Sequence, residues 1–422
     1  MRPLLLIGFL CAACNFDPST SNAVEDGGPD VITVYADPNA PDADTTDAGP
    51  NDPDADTTDA GPNDPDASQC PVWPTTPTLF TPCSDVPVDS TNLVLSEVGT
   101  HVFNTDTGLL ESPSANVTDP TDVAIGGATA LVVGNLEVGI NVRLRAVGSR
   151  PLIIVSWSDI LVNGHIDVGS NAVDVPNAGA GANSSLCSVA GDGESVNTGG
   201  GGGGGGGFGS VGGDGGDGDS GTSAGGLKGT ELTAALTLRG GCPGAAGGIG
   251  DEEIIGNGLG GNGSGVVFLS ARNSIDIVAL VTAGGQGGLG AFDNRAGGGG
   301  GGSGGLIGFE APQVTFGNLS SVAANGGGGG GGGNRGPQLE AGDPGIHLET
   351  EAAAGGDGAD NPPGDGGAGG YLGVIDGQVG DEGGRGGGGG GGGVGYIWVN
   401  SPNFVDNAVN LSPAPTSVSL SL

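Results

Sequence analysis

Four uninterrupted glycine runs constrain this chain more than anything else in it: residues 199–207, 297–302, 326–333 and 386–393. Such a run has no side chains with which to build a core. It also loses more conformational freedom on ordering than any other sequence. Three uses compete: a phosphate cradle, a mobile linker, or backbone packed against backbone. A phosphate-binding loop needs a lysine followed by Ser or Thr after its glycines. The lone lysine, Lys228, sits in "GGLKGT", and no Gly-Lys pair exists. Polyglycine matches a dinucleotide fingerprint anywhere by accident, so that motif carries no weight. Linker and packed backbone remain open. Ordering a nine-residue run costs on the order of 10 kcal/mol. Backbone hydrogen bonds between runs in the three-residue, polyproline-type helix, rising about 3.1 Å per residue, would have to offset that cost.

Between the runs lie short aliphatic stretches rich in Val, Ile and Leu, with little helical periodicity. In "VRLRA", Val142, Leu144 and Ala146 alternate with Arg143 and Arg145, which predicts a strand with one buried face. A unit of roughly twenty residues, holding three short strands, recurs. It starts as "GSRPLIIVSWSDILVNGHIDVGS" at Gly148, "GSGVVFLSARNSIDIVALVTAGG" at Gly263 and "GSGGLIGFEAPQVTFGNLSSVAANGG" at Gly302. A last copy, "GVGYIWVNSPNFVDNAVNL", starts at Gly393. One such unit cannot bury its own apolar face, but stacked units can. The expectation is an all-β parallel β-helix or β-solenoid, with glycine-rich insertions between its coils.

The N-terminus reads "MRPLLLIGFLCAACNFDPSTSN", with Arg2, an apolar stretch too short to span a bilayer, and small residues before Cys14. This resembles the lipobox of bacterial lipoproteins, with Cys11 where that family usually has Leu. The resemblance implies cleavage after residue 13 and a lipidated Cys14. It places the chain, by a lipid anchor, at the outer membrane or cell surface of a Gram-negative bacterium. Several acyl chains, each buried CH₂ contributing roughly 0.8 kcal/mol, would hold it there. Cys70, Cys83, Cys187 and Cys242 then remain for an oxidising compartment. Pairing Cys70 with Cys83 and Cys187 with Cys242 closes the shorter loops, contributing about 3 and about 4 kcal/mol.

Residues 14–69 form an acidic segment without Lys or Arg. Inside it "PDADTTDAGPND" occurs at 41–52 and again at 53–64. Lacking large apolar residues, it cannot offset the entropy of ordering, and it is expected to be a disordered, extended stalk. Residues 70–120 are expected to cap the body, 121–411 to form the solenoid and 412–422 to be a tail. The strand rhythm over Leu93 to Leu411 resembles right-handed parallel β-helix surface proteins, and more narrowly the glycine-rich surface lipoproteins of the myxobacterial kind. The runs are similar to the polyglycine sandwiches of some phage adhesins and antifreeze proteins.

With 48 acidic against 10 basic residues, the net charge is −38. Phosphate backbones are repelled, so nucleic acid is not an expected partner. Ser303 in "GGSGG" satisfies GxSxG, but no helix and no suitable His support a nucleophile elbow. "GGDGGDGDS" and "GGDGADNPP" match the opening of a Ca²⁺-binding nonapeptide. Asp214, Asp217 and Asp219, or Asp357 and Asp360, read first as solvated acidic loops. Strand-borne Arg143, Arg145, Asp159, Asp167, Glu310 and Asp406 contain no repeated acidic doublet of the polysaccharide-lyase kind, and His101 and His165 stand alone. No catalytic residue, metal or cofactor is expected. The reading is a non-catalytic surface protein with a structural or adhesive role, its partners the membrane and surface polysaccharides or proteins. The alternative binds or cleaves polysaccharide, with Trp157 and Trp398 as its sugar-stacking groups.

Overall fold

The computed structural model describes residues 70–422, apart from 90, 175–176, 233–235, 251–255, 293–294, 334–339, 349, 360–361 and 363. The stalk repeat and Cys14 lie outside them. Short β-branched runs broken by Gly, Asn or Asp make short strands, and those strands enter the sheets in a fixed rotation. β1 (Leu93–Leu95) and β2 (Gly99–Asn104) come first. The small strands β3 (Leu110–Glu111), β4 (Val117–Thr118) and β5 (Asp122–Ile125) follow. Then come β6 (Ala128–Val133), β7 (Leu136–Val138) and β8 (Val142–Val147), and after them β9 (Leu152–Ser156), β10 (Asp159–Val162) and β11 (His165–Asp167). An isolated β12 (Leu236–Thr237) precedes β13 (Val266–Ala271), β14 (Ser274–Ile277) and β15 (Leu280–Thr282). The last sets are β16 (Leu306–Glu310), β17 (Gln313–Phe316) and β18 (Ser321–Ala323), then β19 (Tyr396–Asn400), β20 (Asn403–Asp406) and β21 (Asn410–Ser412). β22 (Leu420–Ser421) pairs with β12.

Each set of three gives one strand to each of three stacked, mainly parallel sheets. The first sheet runs β5-β6-β9-β13-β16-β19, the second β1-β7-β10-β14-β17-β20, and the third β4-β3-β2-β8-β11-β15-β18-β21. The ladders stay in register, as in Leu152↔Val267, Val267↔Ile307 and Ile307↔Ile397. Register matters because a one-residue slip would turn every apolar side chain outward. Kept in register, Ile154, Leu269 and Phe309 meet Ile160, Ile275 and Leu144 in one aliphatic core.

The first sheet is buried on its outer face as well, against a second cluster that includes Trp73, Leu79, Phe80, Phe208, Leu238 and Leu420. Cap and tail, with Phe208 and Leu238 from the glycine-rich region, therefore cover this face. Thr78 N donates to both oxygens of the buried Glu310 at 3.1 and 2.9 Å, and Trp398 Nε1 donates to Val418 O at 2.8 Å. Gly308 stands between Phe268 and Trp398 in the ladder. A Cβ there would lie 2.3 Å from the Phe268 ring, so the glycine leaves room for the two aromatic rings, 5.5 Å apart. Disulfides join Cys70 to Cys83 in the cap and Cys187 to Cys242 in the glycine-rich region.

Three long insertions, residues 168–265, 283–305 and 324–395, all leave after a third-sheet strand and return at a first-sheet strand. They emerge at one corner of the stack and meet there. Their glycine runs are buried and ordered, which decides between the two conformations the sequence left open. In the first run, Gly200, Gly203 and Gly206 donate to Arg295, Gly298 and Gly301. Gly201 and Gly204 donate to Glu194 and Gly191, and Gly202 and Gly205 to Gly216 and Gly213. Its carbonyls accept in the same three-residue rhythm, from Gly387, Gly390 and Gly393, from Gly248 and Ala245, and from Gly226 and Gly229. Three residues per turn is the period of the polyproline-type helix. The run thus has a bonded segment on each of six sides.

The other three runs repeat the arrangement. Gly389, for example, donates to Gly330 while Gly298 donates to Gly387. Any Cβ in the lattice meets backbone: at Gly202 it would lie 1.9 Å from Gly388 O, and at Gly389 1.9 Å from Gly299 O. At the rim only every third residue faces inward. In "GQVGDEG", Gly377, Gly380 and Gly383 are buried, and the residues between them are exposed. Gly389→Ala is therefore expected to lower unfolding stability by at least about 2 kcal/mol, since neither backbone can yield. Gln378→Ala, at the rim, should stay within about 0.5 kcal/mol of the parent in the same denaturant titration. Equal effects would contradict the packing.

Candidate functional site

The most concentrated polar chemistry among the described residues lies on the outer face of the third sheet. Strand alternation points Arg143 and Arg145 of β8 outward, and the β8–β11 register sets them beside His165 and Asp167. Thr282 of β15 follows next to Asp167. The chain leaving β11 turns back and adds Asp174. Arg143 Nε donates to Asp167 Oδ2 at 2.9 Å and its Nη2 to Asp174 Oδ2 at 2.7 Å; Nη2 also bonds Asp167. Arg145, with its side chain 3% exposed, donates from Nη1 to Asp167 Oδ2 and to Gly169 O, each at 3.0 Å. Asp167 Oδ1 accepts from Gly169 N at 2.8 Å and from Thr282 Oγ1 at 3.0 Å. With its single proton given to Asp167, Thr282 Oγ1 accepts from His165, 2.7 Å away, so His165 carries its proton on Nε2.

Two cations and two anions cross-bond here, which is what buried charges need. Burial alone would raise the Asp167 carboxyl, but His165, Arg143 and Arg145 outweigh it and hold the group below its ordinary value. Burial pulls His165 down, and Asp167 opposes this only in part. Both Asp167 oxygens are occupied. As built, the cluster fastens the first insertion to the sheet at the corner where it departs. A cleft of about 250 Å³ lies over it, walled by Pro344, Ile346 and His347.

The other residues singled out from the sequence are dispersed. His101 is buried, its ring bonded to Glu97 O at 3.0 Å. Asp159 is held by Ser274 and Ser158 at 2.7 and 2.9 Å, and Glu310 fastens the cap. Asp406, at the edge of the second sheet, accepts from Ala408 N. Ser303 is fully buried between runs and accepts from Cys242 N at 2.8 Å. Trp157 and Trp398 are only 6% and 5% exposed, beneath cap and tail, with their indole N–H groups donating to Pro87 O and Val418 O. That placement removes them as sugar-stacking platforms.

The acidic glycine loops do something the sequence reading missed. Asp214 accepts from Lys228 N and Asp217 from Gly225 N, each at 2.8 Å. Asp192 and Glu194 accept from Ala246 N and Ala224 N, at 3.0 and 2.9 Å. At the rim, where no further glycine segment adjoins, a carboxylate accepts the amide hydrogen bond that a neighbouring backbone carbonyl would accept inside. The three-residue spacing of Asp214 and Asp217 was the available signal. Asp360 lies outside the described residues, and among the described ones no group of His, Cys, Asp and Glu is gathered to hold a metal. No helix among them is long and apolar enough to cross a membrane.

The chain matches no family model, and comparison with curated proteins and with solved structures returns no similar one.

The buried His165 gives a pH test. Its folded-state value lies below the ordinary 6.5, so its contribution is complete above that pH and is lost as pH falls towards the folded value. The melting temperature of the parent is expected to fall between about pH 7 and about pH 5, and His165→Asn to flatten that fall. Identical slopes in thermal scans of parent and variant would refute the assignment.

Proposed function

We propose that this chain is a non-catalytic, lipid-anchored cell-surface protein with a structural or adhesive role. Its three-strand sets are coils of a β-solenoid, and its insertions form a polyglycine bundle of the polyproline type. The rotation of strands through three sheets supports the first reading, since each set closes one circuit and stacks on the last. The observation that carries the proposal is the enclosure of the glycine runs by hydrogen-bonded backbone on all six sides. A large part of the chain is thereby spent on a rigid backbone solid, leaving side chains only at its rim. Such a body suits display and contact better than turnover.

The polysaccharide-cleaving alternative loses support from the burial of Trp157 and Trp398, and from carboxylates that accept backbone protons rather than face one another across a groove. Anchoring rests on the resemblance at Cys14, with residues 14–69 as the spacer.

Expression in a Gram-negative host with labelled palmitate is the direct test. The parent should carry label, sediment with outer membrane and be reached by antibody on intact cells. Cys14→Ser should lose the label and leave the membrane fraction. Attachment of displaying cells to surfaces or to one another should drop with Gly389→Ala. An unlabelled parent would end the anchoring reading. Release of reducing ends from polysaccharide by the purified chain would end the non-catalytic one.

A further inference from the structure

A cleft of about 520 Å³ opens where β12 and β22 meet the turn before β6, lined by Gly127, Ser149, Ser185, Thr237 and Arg239. Arg239 is only 6% exposed. Its guanidinium lies 5.0 Å from the centre of the Phe208 ring, and Nη1 is 3.8 Å from Cys187 Sγ, a weak acceptor already tied up in a disulfide. Ion pairs among the described residues join only Arg143 and Arg145 to Asp167 and Asp174. Arg239 thus enters no ion pair among the described residues, whereas the other buried arginine, Arg145, faces two carboxylates. A buried cation without an anion is costly, and the ring face compensates only in part. Burial indeed draws Arg239 below its ordinary value, opposed only by Tyr396.

Ser185 and Thr237 line the same cleft, and among the described residues neither hydroxyl has a hydrogen-bond partner. Ser149, by contrast, is engaged with Asp106 at 2.6 Å. An arginine and two hydroxyl residues lining one cleft complement a carboxylate that carries hydroxyls of its own. The volume suits a small molecule. The net charge of −38 repels polyanions at long range, so the ligand is a single small anion rather than a charged polymer.

We propose that this cleft binds a small hydroxylated carboxylate of the sugar-acid class, with its carboxylate on Arg239 and its hydroxyls on Ser185 and Thr237. The cleft is lined by no residue of the four glycine runs, and small-anion binding does not depend on the surface-display reading.

Titration calorimetry on the full chain tests it, with glucuronate as probe and glucose, acetate and sulfate as comparisons. Glucuronate is expected to bind with Kd of about 1 mM or tighter. Glucose, lacking the charge, and acetate, lacking the hydroxyls, should each bind at least roughly tenfold more weakly. Arg239→Gln should abolish binding. Ser185→Trp, an exposed change that fills the mouth and leaves Arg239 in place, should abolish it too. The second variant and the glucose comparison decide the matter if Arg239→Gln does not fold. No heat with glucuronate, glucose binding equally well, or binding that survives Ser185→Trp would overturn the site. Acetate or sulfate binding as tightly as glucuronate would reduce it to a bare oxyanion cradle and overturn the sugar-acid assignment.

Discussion

A backbone amide removed from water must find a partner, and in this protein that requirement organises the larger part of the fold. The glycine runs have nothing else to offer. Without Cβ atoms they approach so closely that one run's carbonyls lie where another run's side chains would be, as at Gly297, where a Cβ would lie 1.9 Å from Gly201 O. The three-residue bonding rhythm turns successive amides to different neighbours, so a single run joins several others. Hydrogen bonds of this kind are modest in net worth and the ordering of glycine is expensive, so the bundle depends on having its ends fixed.

The strand sets fix them. Every long insertion leaves and returns at the same corner, so the register of the three sheets sets the spacing of the glycine runs. The Arg143–Asp167–Asp174–Arg145 cluster sits where the first insertion departs, and the Cys187–Cys242 disulfide links two of its segments. Cap, tail and part of the first insertion close over the outer face of the first sheet. That explains why strands such as β6, β9 and β13 are buried along their whole length while β10 and β14 alternate.

Much of this was legible in the sequence, for local reasons. The units read from Gly148, Gly263, Gly302 and Gly393 correspond to β9–β11, β13–β15, β16–β18 and β19–β21, because short β-branched runs between turn residues have few other ways to fold. Both cysteine pairings follow from loop length. The conformation of the glycine runs was not legible, since glycine has almost no preference and only the assembled neighbours decide. The three-residue period of Gly377, Gly380 and Gly383, buried while the residues between them are exposed, is a local signal of the rim that the sequence analysis did not use. The burial of Trp157 and Trp398 depends on segments far away in sequence, Pro87 and Val418. The missing counter-charge at Arg239 is likewise a fact about space that no local pattern carries.

Amide hydrogen exchange, read by mass spectrometry on peptides covering 199–207, 326–333 and 386–393, bears most directly on the central claim. If the runs are a hydrogen-bonded solid, their amides should be protected to a degree comparable with β9 and β13, and for as long. Exchange at the rate of an unstructured glycine peptide, with β9 and β13 still protected, would show the runs to be solvated loops and would contradict the account.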